Sequence, residues 1–358
     1  MQTEVSLPSR AASWRLTAIL RVLVLNLRSL IFLPIGLLVY RLLGRTPQIS
    51  YQSFIWAFCM TRGRINDVLS ALVCRARPKV PLSKPVGVLG EMGAARAAEY
   101  VAQLRQEGCV LFERALAPEA CERLAKFAYD TPALVRPMDG ERGSSRPRFA
   151  QFDPDKPIAV RYDFDTDALL DNPDVQALLA DQSLLYLVQE YLGCLPRADV
   201  LGMWWHTNYS DRPDSQAAQF FHFDMDRIKW LKVFIYLTDV GMENGPHTFV
   251  TGSHRTGGIP ADMLRRGYVR LSDAEVYRTY STERCRQFCA PRGSVILEDT
   301  RGLHKGAHVT GSARLMLQLQ FSNSLFGTNS PPARISRVQD AALARMLTRA
   351  PAIYKQYT

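Results

Sequence analysis

The spacing of apolar side chains changes character twice along the chain. From Trp14 to Leu43, Leu, Ile and Val dominate, punctuated by Arg15, Arg21, Arg28 and Arg41. At 100° per residue Thr17, Arg21 and Arg28 fall close together, and Arg15 and Asn26 widen the polar arc to roughly half the circumference. This predicts an amphipathic helix. Pro78, Pro81 and Pro85 then mark a linker, because proline breaks any regular element there. Ala94 to Gln106 has helical spacing with Gly108 at the expected left-handed cap, and Cys109 to Phe112 reads as a strand. A second helix opens at Ala117-Pro118-Glu119 and runs to about Tyr129. Pro137 to Pro147 is polar and Gly-rich, a candidate mobile lid. Helical patterns return from about Asp167 to Leu192, interrupted at Asn172-Pro173. From Ala198 to Phe321 the pattern becomes short apolar runs between Gly, Pro, Asn and Asp turns, as in a β-sandwich or barrel preceded by helices.

The 358 residues are 47% hydrophobic and 22% charged, enough to bury a full core and too apolar for disorder. A net charge of +10 invites a nucleic-acid reading, but the charge is not spread over the body. Residues 1–80 hold eleven basic and two acidic groups, leaving a net of only +1 beyond them. No nucleic-acid partner is expected, since the body shows no interleaving of basic and aromatic side chains. The basic segment has four readings: a helix lying on an anionic membrane, a helix packed on the body or on a second subunit, a single span, or a transit peptide. Its longest uncharged run, Ser29 to Tyr40, is short of the roughly 20 residues a span needs. A peripheral membrane contact through residues 13–45 is the leading expectation, with the protein in the cytoplasm at the inner face of a membrane. Seven scattered cysteines with no CxxC pair argue against both a disulfide scaffold and a structural zinc site.

All six histidines lie in the second half. In Phe221-His222-Phe223-Asp224 an imidazole and a carboxylate stand two apart, so on an extended strand they leave the same face and one metal ion can accept both. His304, in Gly302-Leu303-His304-Lys305-Gly306, supplies a third ligand. Two His and one carboxylate make the facial triad of non-haem Fe(II) oxygenases, which leaves positions for a bidentate cosubstrate and dioxygen. The strand after His304 adds a second signal. From Arg314 to Ser322 the odd positions are Leu315, Leu317, Leu319 and Phe321, while the even ones are mostly polar. With the oily face packed outward, Arg314 points into the barrel, where a lone guanidinium is costly and needs an anion. The distal carboxylate of 2-oxoglutarate matches its fork; a salt bridge to a neighbouring strand is the plainer alternative. His254 reads as a turn residue, and His247 and His308 as loop residues. His206 and Lys232 are weaker pocket candidates, and Cys285 and Cys289 have helical spacing.

These residues resemble the phytanoyl-CoA dioxygenase family of Fe(II)- and 2-oxoglutarate-dependent oxygenases. The resemblance rests on Phe221 to Asp224, on Leu237-Thr238-Asp239-Val240 to Asn244-Gly245-Pro246 with Gly252-Ser253-His254, and on Gly302 to Gly306 with Arg314 ten residues after the histidine. It spans about residues 95–327. It implies a mainly β fold with flanking helices, built on a double-stranded β-helix (jelly-roll-like, cupin-type), with His222, Asp224 and His304 as iron ligands and Arg314 as the 2-oxoglutarate clamp. Family halogenases lack the carboxylate ligand, so Asp224 favours hydroxylation or a related oxidation.

The expected organisation is a basic helical extension and linker at 1–85, the dioxygenase domain at 86–330, and a tail with a short helix at 331–358. The expected activity is hydroxylation of an unactivated C–H bond of a small-molecule or lipid-like substrate, using Fe(II), 2-oxoglutarate and O2 and releasing succinate and CO2. A membrane-associated binding or scaffold protein with a catalytically silent barrel is the alternative.

Overall fold

The computed structural model describes residues 10–82, 85–138, 147–331 and 333–358, with side chains from residue 27 onward. Most of the candidate lid, residues 139–146, and residues 83–84 of the linker lie outside the described residues. Three helices open the chain, α1 (Arg10–Leu43), α2 (Gln48–Thr61) and α3 (Arg64–Ala76). α1 and α2 meet where Gly36 faces Ser50; a Cβ on residue 36 would stand 2.2 Å from the Ser50 Cβ, so this approach requires glycine. A small hairpin, β1 (Val86–Gly87) and β2 (Gly90–Glu91), leads to α4 (Ala94–Gln106), β3 (Cys109–Phe112) and α5 (Pro118–Asp130). Short strands β4 (Ala133–Val135), β5 (Phe149–Ala150) and β6 (Arg161–Asp163) follow.

The helical stretch near residue 170 breaks where the sequence predicts, into α6 (Thr166–Leu170), α7 (Pro173–Leu179) and α8 (Gln182–Leu192). Asn172 caps α7 by accepting from the Asp174 and Val175 amides, and Asp181 caps α8 by accepting from Leu184. The strand-rich half comprises β7 (Arg197–His206), β8 (Trp230–Tyr236), β9 (His247–Val250), β10 (Cys285–Phe288), β11 (Val295–Glu298), β12 (His304–Gly306) and β13 (Arg314–Ser322). Two short helices, α9 (Ala261–Leu264) and α10 (Asp273–Thr279), lie between β9 and β10, and α11 (Ala341–Arg349) comes near the C-terminus. Cys285 begins a strand and Cys289 follows it, so their four-residue spacing does not reflect a helix.

Eight strands form one antiparallel sheet in the order β3-β11-β8-β13-β7-β6-β4-β5, and three form a second in the order β10-β9-β12. β13 shows the logic of the large sheet. Its odd positions Leu315, Leu317, Leu319 and Phe321 join the main core with α4, α5, α7 and α8 on the outer face. Its even positions turn inward, where Met316 packs with Trp204, Phe234, Ile296 and, from the small sheet, Phe249 and Phe288. A bulge where β13 steps from Leu319 to Phe321 against Leu201 and Ala198 turns Asp199 inward. There its carboxylate accepts from Gln320 and Ser322 and makes a two-pronged pair with the buried Arg227.

Described residues of the first three helices and the C-terminal residues pack on this body. Leu343, Met346, Ile353, Tyr354 and Tyr357 belong to the main core. Leu33, Phe54, Phe58 and Leu69 of the first three helices share a second cluster with Phe221, Phe223, Met225 and Leu303. Among the described residues no helix is long and apolar enough to cross a membrane.

Candidate metal centre

His222 and His304 are brought together by the backbone. Their amides and carbonyls exchange hydrogen bonds of 2.9 and 2.8 Å across an antiparallel bridge, and Asp224 continues the ladder by donating its N–H to the Thr300 carbonyl at 2.8 Å. The bridge carries His304 at the start of β12, itself paired with β9. The three side chains converge, each offering a ligand atom, with all three atoms within 4.8 Å of one another. Nε2 of His304 is 3.3 Å from Asp224 Oδ2, and Nε2 of His222 is 3.8 Å from Oδ1. Donors held about 2.1 Å from one ion at right angles stand about 3 Å apart, so modest closing of this set suits a single cation.

The tautomers are also set. His222 Nδ1 lies 2.9 Å from the Phe220 carbonyl and His304 Nδ1 lies 3.0 Å from the Gly302 carbonyl. A carbonyl only accepts, so each Nδ1 carries its proton and each Nε2 is the nitrogen turned to the shared space. Burial holds His222 neutral, well below the ordinary histidine range, with His304 adding to the effect. Burial alone would raise Asp224; the Lys232 ammonium and then His304 reverse this and keep it well below the usual carboxylate range. His304 is raised because Asp224 outweighs its own burial. The donor set is therefore two neutral-capable imidazoles and one committed carboxylate, which fits a divalent iron ion.

Lys232 is a participant that the sequence marks only weakly. It stands on the inward face of β8, paired opposite Glu298 and Gln320. Its Nζ donates to Asp224 Oδ2 at 2.6 Å and lies 3.4 Å from Asp226 Oδ2. His247 is a strand residue and not a loop residue. It is buried on β9, its Nε2 lies 2.9 Å from a Glu298 carboxylate oxygen, and its ring centre is 5.7 Å from that of His304. Burial pushes Glu298 up to about 8 and His247 well down, so the pair is a neutral acid beside a neutral imidazole at neutral pH. A better signal would have been the alternation His247, Phe249 against Glu298, Ile296 across the two sheets. His254 is a hydrogen-bonded residue as predicted, its Nε2 lying 3.2 Å from the Arg105 carbonyl.

Arg314 points inward, directly opposite His206 on β7, and is almost wholly buried. Nη2 donates to His206 Nδ1 at 2.7 Å, and Nε and Nη1 have no hydrogen-bond partner. Among the described residues no carboxylate forms a salt bridge with it. His206, kept neutral by burial and by Arg314, accepts at Nδ1, and its own Nε2 is buried without a partner. Two guanidinium nitrogens of Arg314 are thus buried without a geometrically sound hydrogen bond, where a buried orphan is costly. Gly306 completes the cradle: a Cβ there would lie 2.9 Å from Arg314 Nη2. These residues, the triad, Lys232 and His247 line one cavity of about 200 Å³. That is below the roughly 300–1,000 Å³ of sites that enclose drug-sized ligands, and it suits a small dianion beside the metal. A larger cleft of about 410 Å³, lined by Arg136, Asp167 and Tyr357, lies elsewhere and holds none of this chemistry.

The family model described as phytanoyl-CoA dioxygenase matches residues 104–316. No curated protein matches the sequence. Among solved structures the chain is similar to AviO1 from Streptomyces viridochromogenes Tue57, at 19% identity over 68% of this chain and 100% of that one, with a TM-score of 0.41. It is similar to HygX from Streptomyces hygroscopicus, solved with nickel and 2-oxoglutarate, at 14% identity over 63% and 86%, with a TM-score of 0.43. It is also similar to the epimerase SnoN in complex with Fe3+, alpha ketoglutarate and nogalamycin RO, at 20% identity over 64% and 84%, with a TM-score of 0.42. The family match takes in more than half of the sequence, including all three metal-site residues and Arg314, and the chain belongs to the phytanoyl-CoA dioxygenase family.

Proposed function

We propose that this protein is an Fe(II)- and 2-oxoglutarate-dependent dioxygenase that hydroxylates a C–H bond of a small-molecule or lipid-like substrate. His222, Asp224 and His304 hold the iron, and Arg314 holds the distal carboxylate of the cosubstrate. The observation that carries the reading is the pairing of a three-residue donor set with a buried, unsatisfied guanidinium in one cavity. Neither half explains the other's cost unless a small dianion bridges them. The two facing sheets are read accordingly as a double-stranded β-helix, with the site between them.

With both groups bound, the iron and 2-oxoglutarate supply oxidation driven by decarboxylation of the cosubstrate to succinate. The chain's own residues do the rest. The Phe220 and Gly302 carbonyls keep Nδ1 of each imidazole as a donor, so Nε2 of each is the atom that would face the ion. Lys232 occupies one carboxylate oxygen of Asp224 and leaves Oδ1 to the metal. His206 accepts from Arg314 Nη2 and so steers the guanidinium fork. Phe234, Trp204 and Met316 keep the cavity poor in water, which strengthens each of these contacts. Asp224 would complete a three-residue ligand set with His222 and His304, which favours hydroxylation or a related oxidation.

The test is succinate release from 2-oxoglutarate in the presence of Fe(II) and air, without added substrate. Slow release that needs iron and is absent in Asp224→Ala supports the reading. Release equal in both proteins, or none in the parent despite bound iron, would assign the cavity to binding alone.

A further inference from the structure

The described part of α1 has two apolar faces. Leu33, Gly36 and Tyr40 turn inward: Leu33 is buried, Gly36 abuts Ser50, and the Tyr40 ring meets Phe326 at 5.7 Å. On the opposite side Leu27, Leu30, Ile31, Ile35, Leu38 and Leu42 stand in solvent, with Leu30 at 74% and Leu42 at 71% exposure. At 100° per residue these six occupy one arc of about 140°, with Arg28 and Arg41 at its margins. From residue 27 onward the outer face of α1 is aliphatic. An arc of this width is what a helix buries, so it needs a cover.

Charge selects the cover. No Asp or Glu occurs between residues 5 and 66, and the first acid after them, Asp67, is engaged with Arg301 and Thr256. Two copies pairing through this face about a two-fold axis would run α1 antiparallel about residues 34 and 35. Arg28 of one copy would then approach Arg41 of the other, with no carboxylate on the helix to answer either. Lipid phosphates answer both. Held along its inner face on α2 and Phe326, α1 would lie in the interface plane. We propose that the outer face of α1 docks the protein on an anionic membrane surface, the aliphatic arc at the acyl boundary and Arg28 and Arg41 at the headgroup phosphates. The same helical platform braces the metal site: the Phe58 ring of α2 lies 5.3 Å from Phe223, the residue between His222 and Asp224.

Sedimentation of the full chain with phosphatidylcholine vesicles, with and without phosphatidylglycerol, tests this. The parent should bind the phosphatidylglycerol vesicles and release them as salt rises. Ile31→Glu/Leu38→Glu should lose about tenfold or more in partitioning at an unchanged thermal midpoint, since both sites already face water. Arg28→Glu/Arg41→Glu should lose the preference for phosphatidylglycerol. A parent that ignores both vesicles, or an aliphatic-face variant that binds as well as the parent, overturns the proposal. A concentration-dependent dimer broken by Ile31→Glu/Leu38→Glu, without vesicle binding, overturns it in favour of a second copy. Iron and 2-oxoglutarate binding measured on the same samples reports on the dioxygenase reading separately.

Discussion

Arg314→Met should make the ligand-free protein more stable while removing its response to 2-oxoglutarate. In the free protein Nε and Nη1 of Arg314 are buried without partners, while Nη2 donates to His206. An orphaned buried donor costs about 1–3 kcal/mol, while the His206 hydrogen bond returns about 1 kcal/mol. Methionine fills similar length with no polar atom, and Met316 and Trp204 beside it already form an apolar wall. The net gain is about 2 kcal/mol, or about 3 °C in thermal midpoint for a chain of this size. The parent, given iron and 2-oxoglutarate at 100 times its Kd, should gain about 2.7 kcal/mol. Losing the clamp at about 3 kcal/mol raises Kd about 150-fold, so at that concentration the variant should gain only about 0.3 kcal/mol. Anaerobic differential scanning fluorimetry, with and without cosubstrate, reads both effects. A variant that is less stable when free, or that responds to 2-oxoglutarate as the parent does, refutes the reasoning.

Other perturbations follow from the same geometry. Gly306→Ala places a methyl 2.9 Å from Arg314 Nη2, and should weaken 2-oxoglutarate binding about tenfold by calorimetry with little change in metal affinity. Asp199→Ala strands the buried Arg227 guanidinium and should cost about 3–5 kcal/mol in urea denaturation. Glu298, raised to about 8 by burial, stays protonated in the folded metal-free protein while the unfolded chain ionises above about 4.5. The folded state therefore binds more protons between these values, and its stability should fall with rising pH by up to about 1.4 kcal/mol per unit, levelling above pH 8. Glu298→Gln keeps a neutral donor for His247 and should flatten that slope between pH 6 and 8, measured by denaturation at several pH values.

Much of this was legible in local pattern. The alternation of β13 separates its outward leucines from inward Arg314, because a strand with one face on helices writes its orientation into the sequence. His222 and Asp224 two apart, with a third histidine beside a turn, are similarly local. What escaped depends on contacts across the sheets. Lys232 acquires its role from Asp224 on another segment, and His247 from Glu298, 51 residues away. The Gly245-Pro246 turn before His247 masked a strand that starts at once. The bulge that turns Asp199 inward shows only in register, since nothing around Val200 announces an extra residue. The helical spacing of Cys285 and Cys289 misled because a four-residue strand is too short for its period to speak.

The central claim, that the triad and Arg314 hold iron and 2-oxoglutarate side by side, is tested most directly by anaerobic titration of the purified protein with Fe(II) and then 2-oxoglutarate. The measurement watches for the visible metal-to-ligand charge-transfer band of chelated cosubstrate. The account predicts a band in the parent, none in Asp224→Ala, and a band reached only at much higher 2-oxoglutarate concentration in Arg314→Ala. A parent that binds iron and shows no band on adding 2-oxoglutarate would contradict it.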